Sequence, residues 1–415
     1  GAPCGAQGGP SCGVVAWGHP AFGGDLGPAA GRLARGVREL HANFTAFAAL
    51  LEAGEVVAWG NPGFGGDPGA AAGQLASGVR SVVGNGSAFA ALKEAGAVVA
   101  WGHPTCGGDM GDAAEQLADG VASVHANGYA FAALKAGGGA VVAWGHPARG
   151  GDASSVARPL RSKVVALHAN NCAFAAVKEG GAVVVWGDPA NGGGCPRAVS
   201  EQLASGVIGL LANNYAFAAL RDDGSVVTWG SRSNGGDSSA VEDQLRGGVC
   251  SLHANNHAFA AVKGTGAVVT WGHPSHGGDA GEAAEQLEAG VVELCGNRRA
   301  FAALKSAGAV VAWGSAACGG DAEPLAGRLA SGVASLHGNG YAFCALKERG
   351  EVLAWGDPER GGDAGAAAQE LGDGVVGLRL SHHACAALKE AGAVVTWGDA
   401  ARGGDSGAAA AQLRA

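Results

Sequence analysis

Charge is scarce in this sequence. Asp, Glu, Lys and Arg together make up 15% of the 415 residues, against 47% apolar residues. That balance excludes a disordered tail, which needs low hydrophobicity and high charge. The charges present are 27 Lys and Arg against 36 Asp and Glu, a net −9. A nucleic-acid binder driven by bulk positive charge is therefore excluded. No uninterrupted apolar run approaches the roughly 18 residues of a membrane span. Methionine is limited to Met110, and the chain opens Gly1-Ala2-Pro3-Cys4 with no basic segment followed by an apolar one. No signal peptide is visible. The sequence reads as a processed chain or part of a longer one, and its N-terminus gives no localisation.

Catalytic and metal signatures are also missing. There is no Cys-x-x-Cys pair, no Ser/His/Asp elbow and no phosphate loop. We expect no enzyme, no cofactor and no metal. The ten cysteines (4, 12, 106, 172, 195, 250, 295, 318, 344 and 385) fall at different places in the repeat described next. A disulfide framework would show recurring pairs, so we read mostly free, small, buried thiols, with Cys4 and Cys12 the one local pair able to join. This favours a reducing intracellular compartment. Cys344 and Cys385 are one register apart in equivalent strands and are expected to face opposite sides.

What the sequence has is a repeat. Its ten tryptophans are Trp17, Trp59, Trp101, Trp144, Trp186, Trp229, Trp271, Trp313, Trp355 and Trp397, spaced by 42 or 43 residues and each followed by Gly. One unit reads GVASVHANGYAFAALKAGGGAVVAWG from Gly120 to Gly145, and its connection reads HPARGGDASSVARPLRSK. Three short strands follow from the pattern. Strand a is Val-led. A turn opens on Asn43, Asn85, Asn127, Asn170, Asn213, Asn255, Asn297 or Asn339, with Ser381 in the ninth unit. Strand b is AFAALK-like. A Gly-containing turn leads to strand c, AVVAWG, rich in β-branched Val. The connection carries Gly-Gly-Asp in nine of ten cases, Gly194 being the exception, and a recurring Leu from Leu33 to Leu413 that anchors it to the sheet. The Asp residues stand one per unit, too far apart for a calcium β-roll, and are expected to cap short helical turns, as in Asp279-Ala280-Gly281-Glu282.

A unit of about 42 residues with three strands and tight turns has propeller-blade length. Trp-Gly recurs and Trp-Asp never occurs, which disfavours the WD40 class. Ala132-Ala133-Leu134-Lys135 through Val141-Val142-Ala143-Trp144-Gly145 resembles the hairpin of the regulator of chromosome condensation repeat family, and the array also resembles the bacterial β-lactamase-inhibitor propellers. The exit loop departs from the family, being Gly-Gly-Asp where a Gly-Gln-Leu-Gly-like run is usual. The expectation is an all-β, β-propeller-like array. Residues 1–13 form an N-terminal tail, and 14–415 form a single continuous array of nine full blades plus one orphan N-terminal strand, Val14 to Trp17. Family propellers usually have seven blades, so a large closed ring and an open spiral both remain open.

Function is expected where aligned units differ and side chains are exposed. Two residues after the turn Asn stand Thr45, Ser87, Tyr129, Cys172, Tyr215, His257, Arg299, Tyr341 and His383, a column holding all three tyrosines. Four residues after the Gly of Trp-Gly stand Phe22, Phe64, Cys106, Arg149, Asn191, Asn234, His276, Cys318, Arg360 and Arg402. Strands alternate in direction, so both columns belong to one face, opposite the turns that carry Lys93, Glu94, Lys389 and Glu390. The five strand-a histidines, His41, His125, His168, His253 and His337, share a position with Val and Leu and read as partly buried strand residues. Histidines after Trp-Gly, such as His103 and His273, read as turn caps. The resemblance implies a non-enzymatic protein-interaction scaffold that binds a partner protein through the varied face. A structural spacer subunit and a glycan-binding propeller are the alternatives.

Overall fold

The computed structural model describes residues 13–16 and 18–407. Most of the expected tail, Trp17, Cys4, Cys12 and Leu413 lie outside the described residues. Within them, nine three-stranded antiparallel sheets follow one another, each with strands in the order a–b–c. We number them blades 1 to 9 by their strand a: Val37–Ala42, Val79–Gly84, Val121–Ala126, Val164–Ala169, Val207–Ala212, Val249–Ala254, Val291–Gly296, Val333–Gly338 and Val375–Leu380. Helix is confined to 3-10 turns and four short α-helices in the connections, Ala72–Leu75, Arg197–Gln202, Glu242–Leu245 and Ala326–Leu329. Of the expected orphan strand, Val14 to Trp17, residues 14–16 are described and carry no strand pairing among the described residues; Val14 donates its N–H to the Leu33 carbonyl, 2.8 Å. The chain divides into two compact units, one ending at Val207 and holding blades 1–4, the other beginning at Ile208 and holding blades 5–9.

Strand b explains the core of each unit. Its alternation AFAALK sends positions one, three and five to one face and two and four to the other. Between blades 1 and 2, Ala46, Ala48 and Leu50 of the first pack against Phe89, Ala91 and Trp101 of the second. The same set recurs between blades 7 and 8 as Ala300, Ala302 and Leu304 against Phe343, Ala345 and Trp355. Alanine on both faces lets neighbouring sheets approach closely, and one Phe–Trp stack in each of blades 1–8 fills the remaining space. Ring centroids are 5.3 Å apart for Phe89–Trp101 and 5.4 Å for Phe301–Trp313. The connection leucines, Leu33 through Leu371, are fully buried, as the pattern requires.

The alternation also corrects the expectation for Cys344 and Cys385. They do face opposite sides of their own sheets, but those are the sides by which blades 8 and 9 face each other. Cys344 replaces an Ala that looks forward and Cys385 replaces the Phe that looks back, so their sulfurs lie 3.9 Å apart in the core. The hydrogen bond to the Cys385 thiol, and then burial, hold Cys344 well above the ordinary thiol range. The eight described cysteines are all unpaired by disulfide.

Polar side chains fix the connections. Lys135, Lys263 and Lys347, at the ends of strands b, donate to the carbonyls of Gln116, Gln244 and Arg328 in the preceding helical turns, at 2.7–2.8 Å. These lysines are C-terminal caps of the short helical turns, more than the solvated charges their sequence suggests. The Gly-Gly-Asp aspartates accept one N–H two residues on, as from Asp279 Oδ1 to Gly281, 2.9 Å. Around Gly194, where Asp is absent, Pro196 opens the helix Arg197–Gln202 instead. Asp279 stands one residue before the N-cap, Ala280, so its bond closes the turn leading into the helical turn and is not the expected N-cap. Asp279→Ala is expected to cost about 0.5–1 kcal/mol, since that one exposed hydrogen bond is lost. Thermal unfolding of parent and variant with and without calcium checks this. A calcium-dependent rise for the parent alone would overturn this assignment.

Candidate partner-binding face

The two variable columns are built on a backbone held the same way in blades 1–8. In blades 1–8 the turn Asn accepts from the N–H groups two and three residues on. In blade 7, Asn297 Oδ1 accepts from Arg299 at 3.0 Å and from Ala300 at 2.9 Å. Its Nδ2 donates 21 or 22 residues down the chain, to the carbonyl of the exit-column residue. Asn43 reaches Phe64, Asn127 reaches Arg149, Asn255 reaches His276 and Asn339 reaches Arg360, each at 2.6 Å. The next carbonyl of the exit loop belongs to the first Gly of Gly-Gly and is taken by the Trp of the following blade. Trp101 donates to Gly65 and Trp313 to Gly277, at 3.0 and 3.1 Å. That Gly must be Gly: Gly277 has φ 91°, and a Cβ there would lie 2.7 Å from the Phe301 ring. The turn-column residue is closed by a third bond, its carbonyl accepting from the residue after Trp-Gly, as Tyr341 does from Asp357, 3.1 Å.

In blades 1–8 the backbone groups of both columns are thus committed, and only the side chain is free to vary. Within each unit, contacts bring side chains of the two columns together. In the first unit Tyr129 is 40% exposed, and the Arg149 guanidinium lies 5.0 Å above its ring. Arg149 also donates to Cys172 Sγ at 2.7 Å. Phe22 is exposed and meets only His19, 4.8 Å between centroids, while Phe64 lies against His103 at 5.7 Å. These two aromatics do not join the Tyr129 group.

The second unit carries two clusters. In the first, His257 stacks on His276 at 4.7 Å and on Tyr215 at 5.7 Å, His273 lies 4.2 Å from His276, and His257 Nδ1 faces Asn234 Oδ1 at 3.0 Å. Burial and the neighbouring His273 lower His276 to about 4, with His257 and Arg299 adding to the shift. His276 Nδ1 is buried without a hydrogen-bond partner. Burial first, then Arg299, lowers His257. His253 and His257 stand four apart, a spacing that suits a zinc pair on a helix. Here they sit on a strand and a turn, and His253 bonds Ser251 instead. Among the described residues no His, Cys, Asp and Glu side chains converge to hold a metal ion.

The second cluster centres on Tyr341. Arg360 lies 4.2 Å and Arg298 4.9 Å from its ring centroid, and Arg298 donates to its hydroxyl. His383 stacks on the same ring at 5.6 Å and His382 meets it edge-on at 6.3 Å. Arg402 pairs with Asp399 at 3.3 Å and adds to the burial that lowers His383. Tyr341 and Tyr215 are half-buried, so of the three tyrosines only Tyr129 is well exposed.

Arg298, His273 and His382 belong to this face and escape a reading confined to two columns. Arg298 and His382 precede the turn column, a position that is itself varied (Phe44, Gly86, Asn171, Asn256), and that variation is the signal that finds them. The expected caps after Trp-Gly hold for Asn61, Asp188, Asp357 and Asp399, whose side chains accept an N–H of the following turn. His103, His146 and His273 make no such bond. Imidazole there is half-buried and caps no backbone N–H; His103 and His273 bond the hydroxyls of Thr105 and Ser275 in the turn instead. Apart from this face, an open groove of about 960 Å3 in the second unit is lined by Asp279, Glu282, Asp321, Glu323 and Trp313, and by none of the column residues.

No family model matches the chain, and no curated protein matches it by sequence. Solved structures do resemble it. The ectodomain of the Physcomitrella patens receptor kinase CR4 aligns over 66% of this chain and 72% of its own, at 16% identity and a TM-score of 0.33. Prp20p of Saccharomyces cerevisiae aligns over 57% and 72%, at 15% identity and 0.35. Human WBSCR16 aligns over 75% and 87%, at 16% identity and 0.35.

Proposed function

We propose that the protein is a non-enzymatic interaction scaffold. Residues 14–415 serve as one array of repeats that presents the turn-and-exit face to a partner protein. One observation carries the reading: blades 1–8 hold the same two backbone positions by the same kinds of bond, while the side chains there range from Thr and Ser to Tyr, Phe, His and Arg. The fold does not need the large ones, since Thr45 and Ser87 occupy the position of Tyr129 and Tyr215. Tyr, Phe, His and Arg on a rigid backbone suit a protein interface, where aromatic and guanidinium groups dominate affinity.

The test is quantitative affinity capture from the source cells with Phe22→Ala/Tyr129→Ala in the first unit and Tyr215→Ala/His257→Ala in the second. Tyr341 is left intact because Arg298 and Arg360 rest on it. At least one double variant is expected to lose most of its partner with melting changed by no more than a few degrees. Glu94→Gln/Glu390→Gln, on the opposite face, is expected to keep it. Equal capture by all forms would remove the partner-binding reading and leave the spacer.

A further inference from the structure

The cations of the face are not spread evenly. No a–b turn contains arginine before Arg298. From there on, Arg298 and Arg299 in the turn of blade 7, Arg360 in the exit of blade 8 and Arg402 in the exit of blade 9 lie on one stretch of the second unit, with His382 and His383 among them. This happens in a chain whose acidic residues outnumber its basic ones 36 to 27. Two of these guanidiniums are held 4.9 and 4.2 Å from the centre of a single ring, that of Tyr341. Nearby carboxylates offset two of the cations in part: Asp357 pairs with Arg360 and Asp399 with Arg402, each carboxylate also accepting an N–H of the following turn, from Glu359 and from Ala401. Asp321 and Asp363 lie past the glycine pairs, bound to the amides of Glu323 and Gly365. Glu359 is exposed, and its charge also acts on Arg360. Arg299 is exposed and has no acidic partner among the described residues. A second observation points into the same stretch: His383 Nδ1 is buried with no hydrogen-bond partner.

We propose that the turn-and-exit face of blades 7–9 binds an acidic segment of a partner protein, its carboxylates bridging Arg299, Arg360 and Arg402 around Tyr341. The proposal rests on the scaffold reading and names the chemistry of the partner. Guanidinium forks match carboxylates in a bidentate way and hold their geometry once placed on an aromatic ring. A peptide fits better than a nucleic acid. The patch is short, the molecule as a whole is negative, and a long polyanion would meet that field beyond the patch.

The experiment is fluorescence anisotropy with a short labelled peptide of alternating Glu and Gly, its Gln–Gly counterpart and an oligothymidine of equal length, at low and high salt. The parent protein is expected to bind the Glu–Gly peptide, to ignore the Gln–Gly peptide and to weaken with salt. Arg299→Glu/Arg402→Glu is expected to lose at least about tenfold in affinity. Arg158→Glu/Arg197→Glu makes the same charge change at exposed sites of the first unit and is expected to stay within about twofold. Arg299→Gln alone, the mildest change, serves if the double variant fails to fold, and is expected to lose several-fold. No preference for Glu over Gln, equal losses in the two double variants, or tighter binding of the oligothymidine would each overturn the proposal. If cell-partner capture depends on Tyr215 and His257 but ignores Arg299→Glu/Arg402→Glu, the acidic chemistry fails while the scaffold reading stands.

Discussion

Trp313→Ala is expected to cost about 3–5 kcal/mol, the range for removing a large buried aromatic. Three losses coincide at this position. The indole is buried and stacked on Phe301 at 5.4 Å, so its removal opens a cavity beside the alanines of blade 6. An aromatic pair adds about 0.5–1.5 kcal/mol beyond its area. The Gly277 carbonyl in the exit loop of blade 6 also loses the N–H that satisfies it. Trp313→Phe separates these terms, since it keeps most of the packing and removes only the hydrogen bond, and is expected to cost about 1–3 kcal/mol. In a repeat array the effect is local, because stability is close to a sum of repeat and neighbour terms. The measurement is therefore urea unfolding followed by hydrogen exchange in blades 6 and 7. A cost under about 1 kcal/mol for Trp313→Ala would mean that the tryptophan column does not stitch one blade to the next.

The blades were legible in the sequence because their signals are local. Alternation in AFAALK, valines in strand c and Gly in each tight turn specify three strands without reference to anything distant. In the third unit even the longer turn keeps to the rule, with Gly137 and Gly139 taking the positive φ on either side of Gly138. What stayed hidden depends on two segments meeting. The Asn column looks like ordinary turn chemistry, because the carbonyl it clamps lies 21 or 22 residues away. The lysines look like surface charge, because the carbonyls they cap belong to the preceding connection. Cys344 and Cys385 look divergent until neighbouring sheets are stacked. The candidate face was half legible. Its two columns are the positions that vary against a fixed frame, and Tyr129 with Arg149, His257 with His276, and Tyr341 with Arg360 do meet. The grouping of cations around Tyr341 was not legible, since Arg298 and Arg360 are 62 positions apart in number and come together only where blades 7 and 8 pack.

The turn Asn makes the second large effect expected of this fold, and blade 9 supplies its converse. Asn297→Ala removes one acceptor shared by two N–H groups and one donor to the Cys318 carbonyl, all in a buried turn. Each buried group left unsatisfied costs about 1–3 kcal/mol, and water reaches some of them once the turn loosens, so a total of about 2–4 kcal/mol is expected. Amide exchange at Arg299 and Ala300 is expected to speed up far more than exchange in strand c of the same blade, because these N–H groups point at the missing oxygen. Ser381 stands where the other full blades have Asn. Its hydroxyl accepts from the Ala384 N–H at 3.1 Å, but it is too short to reach the exit loop. Ser381→Asn is expected to restore the clamp to the Arg402 carbonyl and to stabilise blade 9 by about 1 kcal/mol, the net value of one intramolecular hydrogen bond. It should also slow exchange at His383 and Ala384. If Asn297→Ala melts like the parent and Ser381→Asn gains nothing, the clamp does not hold the two columns in place. The rigid frame on which the partner-binding face was argued would fall with it.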